Sequence, residues 1–332
     1  MLTSNMIGQL PMYTKLFNKF RSLRINETDF IVTKNSNLFI GGVTGRSGTT
    51  WLTRLLANLL NGRYCMIGEH GAFVLAQLRN AGYEVYQVTP GNAENRKQYL
   101  KYFYDFVTTK AYDRTQIYGK GQLSGFGKIV PKKAIDITFK VLESELEKAQ
   151  TLHECNKCFG NFYSRLLNYH SLRKMSTLKW ISKEPPYGRH IKDLYSMIPD
   201  CRVVITVRDG RDTALSMAKK GWGNGEIMRC TNRWKDFTQM TLDALADVPN
   251  ENYLLVKYED LISRFQESVQ NILDFYNVDL ASEIIEIING DDYRYAPQKN
   301  NFNKWKREFS KAEAVYFEKT CSGLMEQLGY EA

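Results

Sequence analysis

A strand, a glycine turn and a helix follow one another without interruption between residues 38 and 60. Leu38-Phe39-Ile40 is a short apolar strand that continues through two glycines and Val43 into the turn Gly45-Arg46-Ser47-Gly48. A helix begins at once with Thr49-Thr50, and its apolar side chains recur at positions 51, 52, 55, 56, 59 and 60. Such a turn presents free backbone N–H groups and the positive end of the helix dipole, so it predicts an anion-binding site.

The side chains of the turn reinforce this prediction. Small residues at Ser47 and Gly48 let the backbone approach a ligand closely, and the hydroxyls of Ser47, Thr49 and Thr50 can donate hydrogen bonds. Arg46 adds a permanent positive charge. A glycine turn without a ligand would not account for an arginine followed by four small or hydroxyl residues.

An ATP- or GTP-binding P-loop, G-x-x-x-x-G-K-[ST], is the obvious alternative, and it can be aligned on Gly48. Val43 then stands in place of the first glycine and Thr49 in place of the lysine. Because that lysine reaches the β- and γ-phosphates of a nucleoside triphosphate, its replacement disfavours a nucleotide kinase.

Further strands and helices alternate along the chain. Buried parallel strands are predicted at Leu178–Lys183 and Arg202–Val207, and another strand at Tyr253–Tyr258. Helices are predicted over Asp212–Lys220 and Phe265–Tyr276. This alternation predicts an α/β fold with a P-loop-like central parallel sheet flanked by helices on both sides.

The stretch from about 83 to 177 breaks the alternation and predicts a mainly helical insertion in a single domain of residues 1–332. Its loop at 119–133 is rich in glycine, which suits either a lid over a substrate or an ordinary surface loop. Its aromatic residues could line an acceptor pocket, although at helical spacing they more often belong to a core; they include Tyr99, Tyr102, Phe103 and Phe106.

Charge and composition narrow the classes of partner. The formal net charge of +9 favours an anionic ligand, and the basic residues are dispersed, with the longest clusters at 132–133 and 304–307, so nucleic acid is not indicated. The amino terminus lacks a signal-like apolar core and no stretch is apolar enough to cross a bilayer, which predicts a cytoplasmic protein without a membrane partner. Six scattered cysteines favour reduced thiols, and Cys155 and Cys158 lack a second ligand pair, so no metal is expected.

The stretch GRSGTTWL at residues 45–52 resembles the donor-binding loop of the sulfotransferases that use PAPS (3'-phosphoadenosine-5'-phosphosulfate). The similarity is to the branch with an R-S-G-T-T loop, which includes the tyrosylprotein sulfotransferases and many bacterial enzymes. The resemblance implies that six consecutive residues bind the donor: Arg46, Ser47, Gly48, Thr49, Thr50 and Trp51.

A second motif, Val207–Ser216, places an arginine at the end of a strand and a serine eight residues later on the following helix. Both then lie at the carboxyl edge of the sheet, where α/β proteins usually bind ligands. In the family the matching residues contact the donor's 3'-phosphate, so the resemblance assigns this role to Arg208 and Ser216. Arg211 is left unassigned, since it can form a salt bridge with a neighbouring aspartate.

Three further matches extend the resemblance. Ser182–Pro185 is similar to the family's K-x-P turn, Tyr258–Leu261 to its Y-E-D-L, and Asn303–Trp305 to a late K-W near the donor. They add Tyr258 and Lys304 to the implied donor-binding residues. The resemblance does not extend to the insertion.

The chemistry implied is sulfuryl transfer, which needs charge stabilisation at the departing phosphate oxygen and a base for the acceptor. The resemblance gives the first role to Lys183. Glu69, in a Gly68-Glu69-His70 context similar to that of the family's catalytic glutamate, is the expected base, and His70 is the adjacent alternative.

The expected function is therefore transfer of a sulfuryl group from PAPS to a hydroxyl or amine of a small molecule, with release of adenosine 3',5'-bisphosphate (PAP). Two other hypotheses remain open at this point. One is a nucleotide kinase, which would bind ATP with Mg²⁺ in preference to PAP. The other is a non-catalytic module that binds a nucleotide or a nucleic acid without transfer, with a strong salt dependence if the partner is a nucleic acid.

Overall fold

A central parallel sheet organises this computed structural model, which describes residues 37–60, 62–67, 93–108, 112–113, 123–124, 129–279 and 302–331. In chain order the described strands are β1 Leu38–Gly42, β2 Cys65–Ile67, β3 Tyr112–Asp113, β4 Leu123–Ser124, β5 Trp180–Lys183, β6 Val203–Val207 and β7 Tyr253–Lys257. Five of them form the sheet in the order β2-β5-β1-β6-β7, and the short β3 and β4 pair separately as an antiparallel ribbon.

The strand order reverses at β1. The chain moves from β1 to β2 and β5 on one side, then crosses to β6 and β7 on the other. Ile40 of β1 is in register with Lys183 of β5, and Gly42 with Thr206 of β6. In open α/β sheets ligands bind outside the carboxyl ends of the strands at such a reversal, which is where the glycine turn lies.

Helices cover both faces of the sheet. In chain order they are α1 Thr49–Leu59, α2 Ala93–Thr108, α3 Lys132–Lys148, α4 Leu152–Met175, α5 Ile191–Met197, α6 Gly210–Ala218, α7 Ile227–Leu245, α8 Tyr258–Ser263, α9 Phe265–Phe275, α10 Trp305–Glu308 and α11 Lys311–Gln327. The predicted helix at 212–220 thus begins two residues earlier, because Asp209 caps it by accepting a hydrogen bond from the backbone N–H of Arg211.

The two faces have separate hydrophobic cores, which we call the α1 face and the α7 face. Alternate residues of β1 point to opposite faces: Leu38 and Ile40 join α1, α8 and α9, whereas Phe39 joins α2, α3, α4, α5, α7 and α11. All five strands of the central sheet contribute buried apolar residues to these cores. The structure confirms the predicted α/β fold with a parallel sheet covered on both sides.

The described part of the insertion is mainly helical. Helices α2, α3 and α4 pack on one another and on the α7 face. Tyr99 and Phe103 are fully buried there, which confirms their interpretation as core residues. The side chains of Tyr102 and Phe106, and most of the loop at 119–133, lie outside the described residues.

All six cysteines are buried thiols outside any disulfide, as the scattered spacing predicted. Within the described residues, no helix combines the length and apolar character needed to cross a membrane.

Candidate active site

The turn after β1 has a backbone that only glycine accommodates at its last position. Gly48 precedes α1 with a φ of 98°, in the left-handed region. A Cβ at Gly48 would lie 2.5 Å from Cδ2 of Tyr258, so the ring of Tyr258 closes directly over the turn. Arg46 also has a positive φ, of 74°. The turn is therefore held in one conformation by α8, with its backbone N–H groups at the start of α1.

Ser47 stabilises the turn from inside. Its buried hydroxyl donates to the carbonyl of Thr44 at 2.9 Å and hydrogen-bonds to Oγ1 of Thr206 on β6 at 2.9 Å. The Thr206 hydroxyl in turn donates to the carbonyl of Gly41 at 3.3 Å. The side chain of Ser47 thus fixes the loop to its neighbouring strand, and its backbone N–H is the group that remains for an anion.

Arg46 and Ser216 are brought together from the two principal motifs. Nε of Arg46 donates to Oγ of Ser216 at 3.1 Å, although the residues are 170 positions apart in the chain. Ser216 lies on α6, which follows β6, while Arg46 follows β1, the neighbouring strand. A hydroxyl and a guanidinium therefore converge at the carboxyl edge of the sheet.

Arg208 lies on the α1 face of the same edge. Its guanidinium is 4.9 Å from the centre of the Tyr258 ring, and its terminal nitrogen is 3.7 Å from a carboxylate oxygen of Asp212. The Trp51 ring meets the Tyr258 ring edge-on at a centroid distance of 6.3 Å. Two aromatic rings and a largely buried cation thus flank the glycine turn on this side.

Lys183 faces the start of α1 from β5. Its ammonium donates to Oγ1 of Thr50 at 3.3 Å, and the residue is only 8% exposed. Because the register places Lys183 beside Ile40, β5 ends next to the strand that leads into the turn. A lysine and the amino end of a helix therefore share one small region, which favours an anionic ligand there.

A carboxylate network supports the turn between β6 and α6. Glu259 accepts from the backbone N–H of Asp209 at 3.1 Å and from the hydroxyl of Tyr330 at 2.7 Å. Burial raises the pKa of Glu259 above its usual range, and the hydrogen bonds from Tyr330 and Asp209 oppose that rise. Arg211 forms a two-pronged ion pair with Asp209, which confirms the structural alternative for this arginine.

The K-W segment reaches the same turn. The backbone N–H of Trp305 donates to Oδ1 of Asp212 at 3.0 Å, and the guanidinium of Arg211 lies 4.2 Å from the Trp305 ring centre. Lys304 therefore directly precedes a residue whose backbone N–H is hydrogen-bonded to α6, the helix that carries Ser216.

Two predicted site residues fall beyond what the structure describes. Glu69 and His70 follow β2, which ends at Ile67 on the carboxyl edge of the same sheet, and both lie outside the described residues. Their roles stay predictions. The described residues contain no group of three or more His, Cys, Asp or Glu side chains that could hold a metal ion.

Two residues at the turn escaped the sequence analysis. Thr206 lies within an apolar strand, where its hydroxyl carried no signal of a loop contact. Trp222 packs against the turn so closely that a Cβ at Gly45 would be 2.6 Å from its ring carbon Cη2. A tryptophan between Gly221 and Gly223, just beyond α6, was the available signal.

A comparison with known proteins identifies the family of this chain. The model of the sulfotransferase family matches residues 37–282, most of the chain and every described element from β1 to α9. The chain therefore belongs to the sulfotransferase family, which confirms the resemblance of its motifs and the class of enzyme they imply.

Solved structures and a curated relative are similar to this chain at low identity. The sulfotransferase domain of an olefin synthase from Synechococcus PCC 7002 shares 17% identity with a TM-score of 0.50, covering 91% of this chain and 98% of that one. Sulfotransferase STF9 from Mycobacterium avium shares 12% identity with a TM-score of 0.48, covering 97% and 82%. Protein-tyrosine sulfotransferase A from Caenorhabditis elegans is 24% identical over 102 residues, which cover 29% of this chain and 27% of that protein. The first of these likenesses shows a shared fold.

Proposed function

We propose that this protein transfers a sulfuryl group from PAPS to a hydroxyl or amine of a small molecule and releases PAP. The observation that carries the proposal is the 3.1 Å hydrogen bond between Arg46 and Ser216. It joins the turn that suits a phosphosulfate to the motif that suits a 3'-phosphate, so one ligand with anionic groups at both ends of a ribose can contact both. An ordinary nucleoside triphosphate has no 3'-phosphate that could bind at Ser216.

The residues present fit such a donor. Backbone N–H groups of the turn, with Thr49 and Thr50, would hold the phosphosulfate end, and Arg208 and Ser216 would hold the 3'-phosphate. The rings of Trp51 and Tyr258 offer flat apolar surface beside Arg208, which suits the nucleoside part. Arg46 and Lys304 add positive charge to the phosphate side.

PAPS supplies an activated sulfuryl group on a phosphate leaving group. Lys183, held at Thr50 by its 3.3 Å hydrogen bond, would stabilise the negative charge that develops on the departing phosphate oxygen. Glu69 would take the proton from the acceptor hydroxyl or amine, with His70 as the alternative base. The chain then acts by placing charges and excluding water, as in phosphoryl transfer.

A small molecule is the proposed acceptor, bound on the substrate side by the insertion at about 83–177 within one domain. The described helices of the insertion, α2, α3 and α4, pack on the α7 face, whereas Trp51 and Tyr258 lie on the α1 side of the turn. The two substrates would therefore enter from opposite faces. The curated relative is named a protein-tyrosine sulfotransferase, so a peptide that contains tyrosine belongs among the acceptors to be compared.

Calorimetric titration with PAP, and with ATP and Mg²⁺, tests the donor assignment. We expect PAP to bind at least tenfold more tightly than ATP, and Arg208→Met to remove most of that advantage. Arg264→Met is the matched control, since Arg264 is an exposed arginine paired with Asp260 on the neighbouring helix. Equal affinities for PAP and ATP, or an unchanged PAP affinity in the Arg208 variant, would contradict the assignment.

Incubation with sulfur-labelled PAPS and a panel of hydroxylated and amino compounds, followed by mass analysis, tests the transfer itself. A product heavier by one sulfuryl group identifies the acceptor. Glu69→Gln is expected to lower turnover while PAP affinity stays the same. Near-normal turnover in this variant would exclude Glu69 as the base and direct attention to His70.

A further inference from the structure

Guanidinium groups and aromatic rings alternate along the outer side of α7. The guanidinium of Arg189 lies 4.2 Å from the centre of the Phe237 ring. The guanidinium of Arg233, one turn before Phe237, lies 5.1 Å from the same ring and 5.2 Å from the ring of Trp222. We call these four residues the arginine ladder. Each arginine is oriented by an aromatic face, so its charge is held in one place.

The ladder borders the donor turn. Trp222, at one end, packs against Gly45, as described above. One turn beyond Phe237, the hydroxyl of Thr241 lies 3.5 Å from the carbonyl of Val43. Gly188, which precedes Arg189, is so close to the carbonyl of Gly42 that a Cβ there would be 2.6 Å away. The ladder therefore runs beside residues 42–45, which are the end of β1 and the first residues of the turn.

The ladder lies on the α7 side of the turn. Helix α7 belongs to the core that also contains the insertion helices α2, α3 and α4. The residues proposed to contact the nucleoside, Trp51 and Tyr258, lie on the other side and pack with Phe265 and Arg208. A ligand of the ladder would therefore meet the turn from the side opposite Trp51 and Tyr258, where the second substrate is proposed to enter.

Arg233 has no counter-ion among the residues that the structure describes. No carboxylate of the described residues contacts its guanidinium, and its Nε is buried without a hydrogen bond. Arg229, one turn earlier on α7, differs in forming an ion pair with Glu226 at 2.8 Å. Met240, on the same stripe of the helix, is 47% exposed and extends the ladder with apolar surface. A fixed, partly exposed cation beside rings and a thioether suits an anionic group attached to an apolar body.

Resting on the proposed transfer from PAPS, we propose that the arginine ladder selects acceptors that carry a carboxylate on an apolar or aromatic body, with Arg233 binding the carboxylate. The hydroxyl to be sulfated then lies towards the turn and the carboxylate along α7. Arg233 sets specificity rather than taking part in the transfer.

A pair of probes that differ only in charge tests this proposal: 6-hydroxy-2-naphthoate and 6-hydroxy-2-naphthamide. Their naphthol fluorescence reports binding to the PAP complex whether or not they are sulfated. We expect the naphthoate to bind on the order of tenfold more tightly than the amide, and added salt to reduce that preference. Arg233→Met, which retains the apolar stem between the rings, should abolish the preference, and Arg233→Lys should keep part of it. Arg229→Met, which removes a paired arginine from the same helix, should leave it intact.

Three outcomes would overturn the proposal: equal affinities of the two probes in the unaltered protein, a preference that survives Arg233→Met, or no binding of either probe to the PAP complex. Calorimetry with PAP alone separates these outcomes from a failure of the proposed function. If PAP binds all variants equally, the donor site is intact and only the acceptor proposal fails. If PAP does not bind the unaltered protein, the proposed function fails first.

Discussion

The donor turn and the insertion are held together by opposite means. In the turn, residues 43–48, hydrogen bonds to β6 together with a left-handed glycine under Tyr258 fix the backbone. In the insertion, α2 and α4 meet through rings: Phe159 lies with its centroid 5.2 Å from that of Phe103 and 6.0 Å from that of Tyr99. The first region is specified by polar geometry and the second by volume.

This difference explains where function can be recognised. Core packing alone does not explain a backbone that requires glycine beside an arginine and several hydroxyls. Buried rings, by contrast, are fully explained by the core they form, so they identify no ligand. The comparison predicts that changes in the insertion reduce stability and leave donor affinity unchanged, while changes at the turn do the reverse.

Truncation of Phe159 should have the largest effect and affect stability alone. Phe159→Ala empties a fully buried site between two rings and is expected to lower the free energy of unfolding by about 3–5 kcal/mol. Urea denaturation measures this loss, and PAP titration at low temperature should give an unaltered affinity. Val315→Ala, at an apolar residue that is 63% exposed on α11, is the control and should change stability little. A weakened PAP affinity in the folded Phe159 variant would show that the two regions are coupled.

Removal of the Lys183 charge should affect the reaction rather than the fold. Lys183→Met is expected to lower kcat by about 10²- to 10³-fold, because one preorganised charge at the leaving oxygen is lost. Single-turnover rates with PAPS measure this effect. Lys179→Met is the control: Lys179 lies just before the other end of β5, over the Tyr64 ring. A similar fall in rate for both variants would assign the loss to a disturbed strand instead.

Loss of the Ser216 hydroxyl should have a smaller effect, confined to one ligand group. Ser216→Ala removes the partner of Arg46 and is expected to weaken PAP binding by about tenfold, with little change for 5'-AMP, which lacks the 3'-phosphate. Calorimetry with both nucleotides gives the comparison. Ser196→Ala on α5, where the hydroxyl donates to a carbonyl within the helix, is the control. An equal loss for both nucleotides would show that Ser216 does not contact the 3'-phosphate.

Sequence patterns were sufficient for four of the five strands of the central sheet, but not for the short β2 or for every contact of the site. The strands ending at Lys183 and Val207 could be predicted because parallel strands buried on both faces are continuously apolar, and the motif residues follow directly from where those strands end. The pairing of Ser47 with Thr206, and of Arg233 with Trp222, could not be predicted. Such contacts depend on strand order and on where α7 crosses the turn, and no local residue pattern encodes either.

The smallest expected effect is a pH dependence in the insertion. His170 of α4 is half-buried, and its Nδ1 donates to the carbonyl of Ile129 at 2.7 Å. Burial lowers the pKa of His170 below its usual value, with Lys174 acting in the same direction and the Ile129 bond opposing. Because the unfolded chain then binds the proton more readily, stability is full above the ordinary histidine pKa and falls as the pH drops through it towards the lowered value.

As the pH falls from 8 to 5, the urea midpoint should therefore decline more steeply for the unaltered protein than for His170→Gln. The difference in slope should correspond to the uptake of less than one proton on unfolding. Because His170 contacts Ile129 and not the turn, PAP affinity should show no matching difference between the two proteins over the same pH range. A parallel pH dependence of stability in both proteins would remove His170 as the cause. A difference in PAP affinity that follows His170 would break the separation between the packed insertion and the hydrogen-bonded turn.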